Sequence, residues 1–219
     1  MNPIVAEMQD YYRQRAPVYD SSMKYDLTET VLALQPVIGL LQAEMAGKRV
    51  LEIACGPCFW TNFVSKTAVS ILATDYNQTT LDQARQKPLD WQKIRLQTAD
   101  AYHLSLLGET FEAAYAVDWF AHVPRSRFHD FLTSLHGRLE PGATVMLIDQ
   151  LPGAHSITTN FDEEGNHLQE RTLPDGSRYR VIKHFMNDGE INELFSQYSD
   201  VIHIHRYPEI RRLVIRYKL

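Results

Sequence analysis

The 219 residues, 44% hydrophobic and 22% charged, hold enough apolar matter for one large domain with a single core. A formal charge of -5 argues against a broad grip on nucleic acid or on an anionic membrane. No apolar run approaches the roughly 18 residues of a membrane span, residues 1–15 lack the pattern of a secretory leader, and two cysteines three apart exclude a stapled secreted scaffold, so a cytoplasmic address is expected.

Asn2-Pro3 opens a helix expected to run to residue 15. Asp26 with Glu29 reads as a capping box for a second helix reaching residue 45, which Pro36 must kink or split. Strands are predicted at 49–54, 69–74, 94–98, 111–117 and 144–149. Between them lie helices at 59–66, at 78–86 with Asn77 as cap, and at 124–138 with Pro124 in the first turn. Glu140-Pro141-Gly142 reads as a turn feeding the fifth strand. From 151 to 184 the alternation gives way to an insertion whose clearest element is a hairpin turned at Leu173-Pro174-Asp175-Gly176. A helix at 188–198 and strands at 201–207 and 210–217 follow, and the short Pro208-Glu209 link makes that last pair antiparallel. Such alternation predicts an α/β fold: a Rossmann-like, mostly parallel seven-stranded sheet with helices on both faces, an antiparallel last strand and a small hairpin insertion.

The most informative stretch is 50–60, VLEIACGPCFW, an apolar strand that ends in a small-residue turn and leads into a helix. Cys55-Gly56-Pro57-Cys58 is the CGPC of a thioredoxin-like redox site, although Ala54 stands where that family usually has Trp. A nicotinamide dinucleotide site would share the strand-one loop and an acid some 20 residues on, but its third glycine is missing and Asp100 would have no role. Asp75 or Asp100 alone reads as a turn or helix-cap residue. Glu52, Asp75 and Asp100 at three successive strand ends point instead to a polar ligand lying across the carboxyl edge of the sheet.

Taken together, these positions resemble the class I S-adenosylmethionine (SAM)-dependent methyltransferases, in particular the small-molecule type similar to the ubiquinone and menaquinone biosynthesis enzymes, over nearly the whole chain. The resemblance implies SAM as cofactor and a small molecule as acceptor. It implies that Glu52, Ala54, Cys55 and Gly56 belong to the cofactor loop, and that Asp75, followed by Tyr76, holds the ribose hydroxyls. Asp100 and Ala101 fall at the adenine, and Asp118 and Trp119, with Phe120, Ala121 and His122, on the acceptor side. Tyr11, Tyr12 and Tyr19 belong to a helical cover, 1–45, over the cofactor's methionine end, within a single domain of 1–219. Ala54 and Cys58 depart from the pattern, standing where glycines are usual, and the loop is expected to adapt to both side chains.

His122, Asp118 and Tyr19 are the catalytic candidates on this reading. An unperturbed imidazole titrates near about 6.5, so a His122 base would lose rate below about pH 6; a capping or core role for His122 stays open. His203 and His205 share a strand face without a completing ligand set, and no metal is expected. Arg171, Arg178, Tyr179, Arg180 and Lys183 make the 151–184 insertion either a solvated face or a lid that selects an acidic or flat acceptor. Arg206, Arg211, Arg212, Arg216 and Lys218 read as the exposed face of edge strands, not an RNA-binding edge. Two alternatives stay open: a SAM-fold enzyme that uses the cofactor's aminopropyl arm, and a CGPC-type thiol redox protein.

Overall fold

A computed structural model describes residues 3–153 and 160–219; Asn2 and residues 154–159 of the predicted insertion lie outside the described residues. Helix α1 (Pro3–Arg15) is followed by a short turn of helix, α2 (Tyr19–Ser22). The second predicted helix is split at Leu34 into α3 (Thr28–Ala33) and α4 (Gln35–Met45), with Pro36 in the first turn of α4, where its missing N–H costs nothing. The Asp26/Glu29 capping box does not form: Leu27 is the N-cap of α3 and makes no side-chain cap bond.

Five strands, β1 (Arg49–Ile53), β2 (Ser70–Asp75), β3 (Ile94–Thr98), β4 (Phe111–Val117) and β5 (Leu139–Gln150), alternate with α5 (Phe59–Val64), α6 (Gln78–Arg85) and α7 (Phe128–His136). A hairpin, β6 (Leu168–Thr172) and β7 (Arg178–Ile182), precedes α8 (Asp188–Phe195), β8 (Ile202–Tyr207) and β9 (Arg212–Lys218). The main sheet has the order β3-β2-β1-β4-β5-β9-β8. Strands β1 to β5 run parallel, and β9 enters antiparallel between β5 and β8. The last strand is therefore interior, with Gln150 opposite Arg212.

Near-continuous apolar runs in β1, β4 and β5 fit strands covered on both faces. One face carries α7 and α8: Phe128, Phe131, Leu132 and Leu135 recur at helical spacing and pack with Phe195 against Leu51, Ile53 and Leu147. The other carries α4, α5 and α6, with Ile38, Leu41, Met45 and Val64 against Val50, Tyr115 and Met146. A third cluster joins Ile4, Met8 and Tyr11 of α1 to Leu168, Val181 and Ile182, so the N-terminal helix packs on the hairpin.

Glu140-Pro141-Gly142 lies inside β5, not in a turn before it; the pairing register shifts beside it, between Phe111 and Ala113, and Gly142 takes φ +80°. A bulge tolerates the proline because no ladder bond is lost there. The 124–138 segment opens with a 3-10 turn over Arg125–Arg127 before α7 begins. Helix α8 is held by a capping box between Asn187 and Glu190, a start signal not read from the sequence. Among the described residues, no helix is long and apolar enough to cross a membrane.

Candidate active site

The carboxyl ends of β1, β2 and β4 sit side by side, so the residues just beyond them converge. At the end of β1 the turn is built on left-handed backbone: φ is +52° at Ala54, +57° at Gly56 and +64° at Cys58. Ala54 and Cys58 thus take the dihedrals of the glycines they replace, at about 1–3 kcal/mol of strain each, and the loop keeps its shape. Asp75 ties this turn to β2. Its Oδ2 accepts from the Gly56 N–H at 3.1 Å and its Oδ1 from the Asn77 N–H at 2.9 Å. Burial outweighs those bonds and pushes the Asp75 carboxyl up to about 6. Glu52 lies beneath, buried, accepting from the Thr61 hydroxyl at 2.6 Å, and burial raises its carboxyl well above the usual range.

Above these ends is a cavity roofed by α1 through Met8, Gln9 and Tyr12. Of the residues predicted from the sequence, Tyr12, Tyr19, Ala54, Gly56, Asp75, Tyr76, Asp100, Ala101, Asp118, Trp119 and His122 line it. Tyr11, Glu52 and Cys55 do not: Tyr11 packs toward the hairpin with its ring centroid 5.6 Å from that of Tyr179, and Cys55 is buried in the core under the loop. Asp100 is turned on its own loop, accepting from the Tyr102 N–H at 2.9 Å and pairing with His103 at 3.0 Å. Trp119 offers a buried indole N–H with no partner among the described residues. An orphaned donor beside a half-used carboxylate is what a polar ligand would complete.

A second chamber, about 160 Å³, adjoins the first and shares Tyr12, Tyr19, Asp118 and His122 with it. His122 Nδ1 is 2.5 Å from the Ile182 carbonyl, which can only accept, so the proton sits on Nδ1. Nε2 is then the basic nitrogen, and it accepts from the Tyr12 hydroxyl at 3.0 Å. Burial, with Lys183 adding to it, holds the imidazole well below its usual range. A rate loss near pH 6 through His122, the expectation for a free imidazole, therefore does not follow from this environment.

Asp118, at φ +55°, has another employment. Its Oδ1 accepts from Arg212 Nη1 at 2.7 Å, and Arg212 reaches on to the Tyr25 hydroxyl at 3.4 Å, which also accepts from Trp60 Nε1 at 3.3 Å. Burial pushes the carboxyl up, but Arg212 and Lys183 outweigh it and hold it below the ordinary carboxylate range. So committed, Asp118 is a weaker proton acceptor than a free carboxylate. Arg212, read from the sequence as an exposed edge residue, is buried; Arg206 and Arg216 on the same strand pair are matched to Asp188 and Glu44. Arg212→Met should cost about 3–5 kcal/mol, because it strands a buried carboxylate. Urea unfolding would measure it, and adding Asp118→Asn should recover part of the loss; an unchanged midpoint in the single variant would refute the pairing's weight.

Cys55 and Cys58 are free and buried. A thiol exchange site needs an exposed sulfur of lowered pKa; burial pushes Cys55 up, and Cys58, which the Cys55 hydrogen bond pulls down, is fully buried. The thioredoxin reading does not survive the seven-stranded sheet around it.

Residues 50–142, from β1 into β5, match the family model described as a methyltransferase domain. Over that stretch the chain is similar to a methyltransferase domain. Two solved structures, a DhpI–SAH complex and a DhpI–SAM–HEP complex, are each 23% identical to it over 99% of this chain and 97% and 98% of theirs, with TM-scores of 0.78 and 0.79. A SAM-dependent methyltransferase from Clostridium acetobutylicum ATCC 824 is 14% identical over 95% of this chain and 98% of its own, with a TM-score of 0.65. No curated protein sequence matches the chain. What these structures share with it is the fold of the class, coarser than the ubiquinone and menaquinone type suggested by the sequence.

Proposed function

We propose that this methyltransferase moves the methyl group of SAM to a small-molecule acceptor seated in the chamber beside the cofactor cavity. The observation that carries the reading is the pair of adjoining pockets at the strand ends, joined through Tyr12, Tyr19, Asp118 and His122. A cofactor of this kind fits the donor set. Asp75 would accept from the ribose hydroxyls, Asp100 and Ala101 would meet the adenine, and the turn at 54–58 would lie against the methionine end. Helix α1, through Met8, Gln9 and Tyr12, would cover the bound cofactor.

When bound, SAM supplies an activated methyl: the acceptor's lone pair forms the new bond to carbon as the carbon–sulfur bond breaks, its electron pair staying on sulfur to leave S-adenosylhomocysteine. The chain's own part is to align the acceptor, exclude water and take a proton where the acceptor carries one. His122 Nε2 is suited to that last task, directly or through the Tyr12 hydroxyl, which gives its proton to Nε2 as it takes one from the acceptor. Tyr19 completes the wall between the pockets. Two buried cysteines so near the cofactor loop suit a reducing, cytosolic setting.

Calorimetry decides the cofactor. SAM and S-adenosylhomocysteine should each bind once per chain and NAD should not. Binding of NAD with no response to either sulfur compound would end this reading.

A further inference from the structure

We propose that the acceptor is a small acid, bearing a carboxylate or a phosphate-type oxyanion that docks against Lys183 and Arg171 in the chamber beside the cofactor cavity, with Arg15 at the same wall. This rests on the methyl-transfer reading above and names the substrate class of that site.

The cations at the chamber wall have no hydrogen-bonded anion. Lys183 is 3% exposed and lines the chamber. Among the described residues its ammonium has one ion pair, with Asp149 at 3.6 Å, beyond hydrogen-bonding distance, and it donates no hydrogen bond. The facing Asp149 Oδ1 is likewise left without a hydrogen-bond partner. A nearly buried ammonium with three unused donors is costly unless something accepts from them. Arg171 has a neutral partner, donating from Nη2 to Gln169 Oε1 at 2.5 Å. Arg15 is also held by a neutral group, its Nε and Nη2 donating to Ser22 Oγ at 3.1 and 2.8 Å.

Two neighbouring cations are matched. Arg180, two residues from Ile182 on the same strand, pairs with Glu7 at 2.8 Å, and Arg125 pairs with Glu190 at 3.0 Å. Inside the chamber, three cations line the wall with one carboxylate, Asp118, whose charge is taken by Arg212; Asp149, outside the lining, offsets Lys183 without hydrogen-bonding it, which leaves Arg171 and Arg15 with neutral partners only. The chamber is thus electropositive and partly dehydrated, an arrangement that favours an oxyanion able to accept from several donors at once. An acid docked at the Lys183 and Arg171 end would leave the rest of a small molecule facing Tyr12 and His122, the side shared with the cofactor cavity. Two readings of the insertion, a solvated basic face and a selective lid, are separated here: Arg178 and Arg180 lie on the outside, while Arg171 and Lys183 line the chamber.

The test uses the full chain saturated with S-adenosylhomocysteine, titrated calorimetrically in low-chloride buffer with inorganic phosphate, with acetate, and with acetamide as the neutral counterpart. At least one anion should bind saturably, once per chain, while acetamide gives no saturable heat; the preferred anion tells phosphate-type from carboxylate acceptors. Arg171→Gln, at a half-exposed position that tolerates the change, should weaken that anion at least about tenfold, the scale of one charge-assisted bond, and leave S-adenosylhomocysteine binding within threefold. Lys183→Met should do the same or more. No saturable anion binding by wild type that holds S-adenosylhomocysteine, or equal anion affinity in wild type and Arg171→Gln, overturns the acidic acceptor and leaves the methyl-transfer reading standing. Failure to hold S-adenosylhomocysteine at all overturns both.

Discussion

Asp75→Ala should lower the affinity for SAM by about 30-fold to 800-fold, which corresponds to about 2–4 kcal/mol for two lost charge-assisted bonds. A carboxylate offers about four lone-pair sites. Two are taken by the N–H groups of Gly56 and Asn77, which leaves two for the ribose hydroxyls. The variant also frees the Gly56 N–H, so the turn that faces the methionine end loosens with the same change. Acid provides an independent readout. Burial lifts this carboxyl to about 6 in the free protein, so a proton competes with the hydroxyls as pH falls through that value. Wild-type affinity should drop between pH 7 and pH 5, while that of Asp75→Ala stays level. Calorimetry across that range checks both, and a variant that binds within threefold of wild type at pH 7 would remove Asp75 from the ribose site.

The second large effect falls on turnover. With an acceptor in hand, His122→Ala should slow the reaction by about 100-fold to 10,000-fold, the range for loss of a proton-transfer group, and should leave the SAM dissociation constant nearly unchanged. At saturating SAM the wild-type rate should not fall at pH 6 through His122. Because burial and Lys183 depress the imidazole, Nε2 stays unprotonated there, and the acid limb contributed by His122 moves to lower pH. Tyr12→Phe, which removes the hydroxyl hydrogen-bonded to Nε2, should have a smaller effect. If His122→Ala turned over at the wild-type rate, alignment of acceptor and methyl would be the whole of the chemistry.

Strands β1, β2 and β4 could be read in advance because each is a short apolar run, and the mostly parallel sheet followed from the alternation with helices. Asp75 and Asp100 stood out because strand ends are where such sheets put chemistry. Arg212 could not be found that way. It shares its strand with two further cations, Arg216 and Lys218, and its burial depends on β9 slotting between β5 and β8. Lys183 was noticed as part of a basic run, but nothing local distinguishes it from Arg178, two strand positions from Arg180 and fully on the outer side. The left-handed backbone at Ala54 and Cys58 was hidden for the opposite reason, since neither side chain advertises a positive φ.

The Asp118–Arg212–Tyr25 network also sets a schedule for folding. Residues 25 and 212 meet at one carboxylate although 187 positions separate them. Contacts of such long range close late, after loop entropy has been met by the local pairings of β1 to β5. Until β9 docks, Asp118 at the end of β4 lacks its hydrogen-bonded cation, so the wall shared by the two pockets is completed by the strand most distant in sequence from Tyr25.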